Sequence, residues 1–257
     1  ISVEGAGITV ASGFGPPGAA VGLPAANIGI SETKISGGRG LVISEHNIGG
    51  IRHVSVRDLL LNGTSANRPM GGIAVLGYAN AGGGEVHGLR FERVFGDNLE
   101  APLKVDINLP RPNTNPLYLD HSQLGKMHQH HPPPPLSDLS FRQMKFTAVA
   151  KRGVHLAAPA NGAIRGLHME DVRMDVVGLK RGEAGYTCDG IITGTQVGVF
   201  PRLEKRCGLK EVISTADAKA SPILEQVLGK GDEVLVDPMA DSLIDQIVQE
   251  AVQDRPK

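Results

Sequence analysis

Four segments of this chain carry the same short pattern, and that recurrence limits the fold more than any other feature. They are IRHVSVRDLLL (Ile51 to Leu61), VHGLRFERVFG (Val86 to Gly96), LSDLSFRQMKF (Leu136 to Phe146) and IRGLHMEDVRM (Ile164 to Met174). Each sets apolar residues at one position, two later and five later. The triples are Val54, Val56, Leu59; Leu89, Phe91, Val94; Leu139, Phe141, Met144; and Leu167, Met169, Val172. Polar residues mostly fill the gaps. Alternation with period two marks a half-buried strand rather than a helix. Second apolar runs follow the first three blocks: GGIAVLG (Gly71 to Gly77), APLKVDI (Ala101 to Ile107) and RGVHLAA (Arg152 to Ala158). A strand-rich unit recurring every few tens of residues is the mark of a solenoid. The expected fold is all-β, a right-handed parallel β-helix.

With 257 residues the chain is long enough to bury a large core. Its 34 glycines suit tight corners that need positive φ. Formal net charge is -1 and the pI about 6.8, so nothing marks the chain as a nucleic-acid binder or as attracted to anionic membranes. No apolar run approaches the roughly 20 residues of a membrane span. The chain starts inside a strand-like run, ISVEGAGITV, with no initiator Met, and reads as a processed or truncated product or as a partial sequence. Cys188 and Cys207 are either a local disulfide or two buried thiols. Asn62-Gly63-Thr64 is an N-glycosylation acceptor triplet, a pattern common by chance, and only together with a disulfide does it lean toward secretion.

The rhythm starts early, with Ile8 and Val10, Ile28 and Ile30, then Leu41 and Ile43, separated by clusters such as FGPPGAA. Residues 109–135 break it with PRPNTNP and HQHHPPPP, a long loop with polyproline character. It returns from Leu136, and GYTCDGIITGTQVGVFPRLEKRC reads as a last unit holding both cysteines. Residues 1–209 therefore form the β-helix. From residue 210 the spacing of Leu224, Val227 and Leu228, then Leu243, Ile244, Ile247, Val248, Ala251 and Val252, becomes helical, with Asp241 as a helix cap. Residues 210–257 are expected to be a helical tail packed on the solenoid or on a partner.

VEGAGITVASG, ISEHNIGGIRHVSVRDLLLNGT, GGGEVHGLRFERVFGDNLEAPLKVD and GYTCDGIITGTQVGVFPRLEKRC, in this order and spacing, resemble the C-terminal half of polygalacturonase-type glycoside hydrolases of family 28, and most of all their plant and algal members. The resemblance covers most of the chain apart from the tail. It implies a pectin-lyase-like β-helix, secreted or directed to the cell wall, acting on pectin-type polysaccharide. It also implies that Cys188 and Cys207 pair with each other. The family's active site is a cluster of aspartates helped by a His and an Arg-x-Lys pair. One carboxyl group protonates the leaving oxygen and another activates water on the opposite face. The paired aspartates should fall in VEGAGITVASG, where this chain has Gly5 and Ala6. The Arg-x-Lys pair should fall in GIAVLGY, which has neither residue, and the His motif near SGGRGLVISEH, where Arg39 and His46 are displaced. An earlier Asn/Asp motif would lie upstream of Ile1. Gly and Ala transfer no protons, so the hydrolytic machinery reads as lost.

The remaining candidates for chemistry are few. Glu4 sits beside the missing aspartates and supplies at most one carboxylate. Glu45 and His46 lie near the expected cleft; their plainer reading is a solvated turn. Asp106, in LKVDINL, matches a polar place in the cleft of some relatives and is the substrate-binding candidate; its plainer reading is a loop-turn carboxylate. His121, His128, His130 and His131, with Asp120 beside the first, have a spacing that binds zinc or nickel adventitiously, yet the Pro-rich context favours a solvated loop. No resident metal or cofactor is expected. The functional expectation is a catalytically impaired polygalacturonase relative that binds or acts on a polyuronide. The competing expectation is a non-enzymatic β-helical scaffold within a larger assembly. A β-helix end also needs covering, so an upstream segment or a partner chain is expected over residues 1–13.

Overall fold

The computed structural model describes residues 1–5, 7–13, 21–63, 70–78, 84–110, 134–150, 152–160, 162–177, 185–203 and 207–212. These build two parallel sheets. The larger runs, in spatial order, β1 (Ser2–Glu4), β3 (Ala25–Ser36), β5 (Ile51–Asn62), β7 (Val86–Asp97), β9 (Leu136–Val149), β11 (Ala163–Val176), β13 (Ile191–Val197) and β14 (Leu209–Glu211). The smaller runs β2 (Gly7–Val10), β4 (Gly40–Ile43), β6 (Met70–Tyr78), β8 (Leu99–Leu109), β10 (Val154–Ala157) and β12 (Tyr186–Asp189). From β1 to β13 the chain visits the two sheets in turn, and successive visits to one sheet lie side by side. The protein is thus all-β and parallel, with a β-helix-like arrangement.

Core residues of both sheets fall in one cluster, with Val56, Phe91 and Phe141 from the larger sheet and Val75, Val105 and Leu156 from the smaller. All four apolar triples are buried. They stack in register: Val56 pairs with Phe91, Phe91 with Phe141, and Phe141 with Met169. The Phe91 and Phe141 rings lie 5.1 Å apart, tilted by 19°. The spacing of two and then three residues has a backbone cause. Between the second and third apolar positions sits one residue in the left-handed region: Asp58, Arg93, Gln143 or Asp171. It turns the strand through a corner, so that the next apolar residue comes one position later and still faces inward. A second row of such corners contains His53, Gly88, Asp138 and Gly166. Left-handed φ is costly for most side chains. At one step the corner row is tied across strands, because Arg93 Nε donates to Asp58 Oδ1 at 2.7 Å and Nη2 to Oδ2 at 3.0 Å. The hydrogen bond from Arg93 and its charge hold the Asp58 carboxyl below the usual range, against the opposing effect of desolvation.

Strands of the smaller sheet begin where backbones nearly touch. A Cβ on Gly40, whose φ is +76°, would lie 2.2 Å from the Gly72 carbonyl oxygen. Glycine is the residue that permits both the conformation and the approach. Cys188, on β12, and Cys207, just before β14, are bonded to each other with Cα atoms 5.2 Å apart. This link suits an oxidising compartment. No helix among the described residues is long and apolar enough to cross a membrane.

The compact unit ends at Val212, because β14 adds to the larger sheet beyond the expected boundary at 209. Beyond Val212 the expected helical tail lies outside the described residues. The same holds for the His121, His128, His130 and His131 loop, for Asp120, for Ala6, and for Thr64 of the glycosylation triplet. β1 and β2 are the outermost strands of their sheets, and Ile1 is 82% exposed.

Candidate functional site

On the smaller sheet alternate residues face away from the core, and strand register fixes which of them are neighbours. One outward row is Thr9, Val42, Ala74, Lys104, His155, Thr187. The next row includes Leu76, Asp106, Ala157 and Asp189. Toward β4 and β6 these rows are apolar. Toward β8, β10 and β12 they become a polar cluster, and Asp106 is its centre.

Asp106 is 8% exposed. Its Oδ2 lies 3.3 Å from Lys104 Nζ and 3.4 Å from His155 Nε2, while Oδ1 accepts the Asn108 amide at 3.1 Å. Burial pushes the carboxyl upward. The hydrogen bonds from His155 and the Asn108 amide, with the charges of Lys104 and His155, outweigh that and hold it below its ordinary value. His155 also meets the Thr187 hydroxyl, with Nδ1 to Oγ1 at 2.6 Å. In a neutral ring the carboxylate takes the proton on Nε2, which leaves Nδ1 to accept from Thr187. The relay runs carboxylate, imidazole, hydroxyl.

That relay has structural counterparts. His87 Nδ1 meets Ser137 Oγ at 3.1 Å, and His168 Nδ1 meets Thr195 Oγ1 at 2.8 Å, each between residues in register. His168 Nε2 also faces Glu170 Oε2 at 3.4 Å. Stacking a His on the hydroxyl of the next repeat is therefore a general device of this fold. The Asp106 cluster differs in that its carboxylate is nearly buried and joined by a lysine.

A glycosidase acid must hold its proton at working pH. Asp106 is shifted the other way, so it is an acceptor and an anchor rather than a proton donor. Asp189 stands two strands away in the same row, about 10 Å by strand spacing.

The other candidates occupy different places. Glu45 and His46 follow β4: Ser44 Oγ donates to Glu45 Oε2 at 3.3 Å and accepts the His46 amide at 3.1 Å, and His46 Nε2 is 3.8 Å from Glu45 Oε1. The His46 ring meets Tyr78 edge-on, with centroids 6.3 Å apart. Ser44 lies one residue past the Ile43 and Val75 pair, so this turn is on the same sheet as Asp106, two strands across. Glu4 belongs to the larger sheet. It heads the row Glu4, Ser36, Asn62, Asp97, Thr147, beside the corner formed by Gly5. Asn62 is in that row too, half-buried between Ser36 and Asp97. The structure thus groups Glu45 and His46 with Asp106 on one sheet and sets Glu4 on the other. It adds Lys104, His155 and Thr187, which sequence reading passed over. Their signal was the alignment of LKVD, VHLA and YTCD at period two. No group of three or more metal-ligating side chains occurs among the described residues.

Among the described residues, fold and site together define a parallel all-β protein with a polar cluster centred on Asp106 on the face of its smaller sheet. Set against protein-family models, curated proteins and solved structures, the chain matches none of them.

Proposed function

We propose that this chain is a right-handed parallel β-helix of polygalacturonase type, secreted or held in the cell wall, that binds pectin-type acidic polysaccharide on the outward face of the smaller sheet without hydrolysing it. The observation that carries this reading is the face itself. Lys104, His155 and Thr187 provide convergent hydrogen-bonding groups at one end, and half-buried Ala74, backed by buried Val42 and Leu76, provides an apolar flank at the other. Sugar rings have apolar faces and polar rims, and a few placed polar groups on an apolar surface suit them. Loss of hydrolysis follows from Gly5 at the place of a family aspartate and from an Asp106 held ionised.

The test is calorimetric titration of the full chain with oligogalacturonate, alongside reducing-end release from pectate. Binding without turnover is expected, with His155→Ala and Lys104→Ala each weakening binding about tenfold, the scale of one lost charge-assisted hydrogen bond. Absence of binding by the unmodified chain, or undiminished binding by both variants, would refute the site. Family-like turnover abolished by Asp106→Asn would refute the loss of chemistry.

A further inference from the structure

The larger sheet carries an outward row just beyond the corners at Asp58, Arg93, Gln143 and Asp171. Register runs unbroken through Lys34, Leu60, Phe95, Lys145, Arg173 and Phe200. Inward-facing neighbours on both sides of these residues are buried, among them Leu59, Leu61, Val94, Met144, Phe146, Val172 and Met174. The row is therefore turned to solvent. Phe95 is 36% exposed and Phe200 67%, and Lys34, Lys145 and Arg173 are exposed as well. At about 4.8 Å per strand the row extends roughly 24 Å, with about 14 Å between the two phenylalanines.

From this juxtaposition we infer a second binding surface, a strip of two phenyl rings and three cations on the larger sheet that takes an anionic polysaccharide lying across the strands. Four observations favour that occupant. Exposed aromatic rings are flat apolar plates of the size of a pyranose face. The row holds three cations and no carboxylate, which complements a chain bearing acid groups at intervals. Strand spacing is of the order of one sugar ring, so successive side chains meet successive residues of the polymer. Arg173 is paired only loosely, 3.3 Å from Asp171 with both side chains largely exposed, and such a pair exchanges readily for a ligand carboxylate.

A single-stranded nucleic acid also likes rings and cations. Here the flanks argue against it. Asp97, Asp171 and Asp175 border the row, and the whole chain has a net charge of -1. Non-specific single-strand binders track the phosphate backbone along a strongly basic groove, and three cations bordered by these carboxylates do not form one. This strip is on a different sheet from the Asp106 cluster, and its case does not depend on that reading.

The test compares the full chain with three variants, Phe95→Ala with Phe200→Ala, Lys145→Gln with Arg173→Gln, and His155→Ala alone, by affinity electrophoresis in sodium polygalacturonate, neutral dextran and oligo(dT). Exposed substitutions leave the fold intact, which the far-ultraviolet circular dichroism and melting temperature verify. The ring variant is expected to lose roughly tenfold in affinity for polygalacturonate. The cation variant should lose a similar factor and flatten the salt dependence. Wild-type retardation of both strip variants overturns the inference even if His155→Ala binds weakly. Loss in the strip variants with full binding by His155→Ala upholds it and sinks the Asp106 site instead. Retardation of the wild type by dextran equal to that by polygalacturonate, or stronger retention by oligo(dT), also overturns it.

Discussion

Truncating Phe141 tests whether the stacked apolar rows hold this protein together. Phe141 and Phe91 are each 1% exposed, and their rings stack at 5.1 Å. Val56 continues the row on one side and Met169 on the other, so neither ring can be replaced by water or by a shifted loop. Phe141→Ala should cost about 3–5 kcal/mol, the transfer term plus the cavity left in a row whose strands are fixed by register. Phe91→Ala should cost about the same. Each single change already removes the stacking, worth about 0.5–1.5 kcal/mol, so the double variant should cost less than the sum by at least that amount. The control is Lys145→Ala on the same strand, which points to solvent and should stay within about 0.5 kcal/mol. Guanidinium unfolding followed by circular dichroism measures all four, provided the slope with denaturant is unchanged. A Phe141→Ala cost below about 1 kcal/mol, or strict additivity with Phe91→Ala, would show that the rows do not carry the stability assigned to them.

Asp106→Asn should destabilise the protein by about 1–3 kcal/mol at neutral pH, through loss of charge-assisted hydrogen bonds. Because the folded-state pKa of Asp106 is depressed, its contribution is present above the unfolded value of about 3.9 and is lost as pH falls through the folded value; the gap between wild type and variant in urea melts should therefore close below about pH 4. Gly40→Ala forces a left-handed φ on a side chain and drives Cβ against two carbonyl oxygens, so it should abolish soluble expression or lower the melting temperature by well over 5 °C. Reducing the Cys188 to Cys207 link, which spans 19 residues, should cost about 3 kcal/mol in chemical unfolding; no change on adding a thiol reductant at a denaturant concentration near the midpoint would contradict that role.

Strand positions were legible because burial in a sheet has period two, and Val54, Val56, Leu89 and Leu139 obey it. The corners were hidden. Asp58, Arg93, Gln143 and Asp171 share a backbone conformation and no side-chain chemistry, so only the extra residue between apolar positions betrays them. Asp106 was singled out by the family resemblance, as a match to a polar place in the cleft of some relatives. Lys104, His155 and Thr187 were not, since each is ordinary within its own strand and the cluster exists only once three strands are in register. Glu4 and Asp106 were read as sharing one groove, because sequence order does not reveal that the corner at Gly5 separates the two sheets. The Cys188 and Cys207 pairing came from family resemblance rather than from spacing, which allows free thiols equally well.

The constant corners have a consequence for how such a chain acquires new segments. The larger-sheet strands β3, β5 and β7 each have 12 residues, and β9 and β11 each have 14. Yet the in-register positions Ala25, Ile51, Val86, Leu136 and Ile164 are separated by 26, 35, 50 and 28 residues. Nearly all of the variation is absorbed outside these strands. Closing a longer loop costs only about 0.6 kcal/mol for each doubling of its length. A repeat of 50 residues is thus nearly as easy to hold shut as one of 26, and the segment between β8 and β9 is where this scaffold accepts foreign sequence at the smallest thermodynamic penalty.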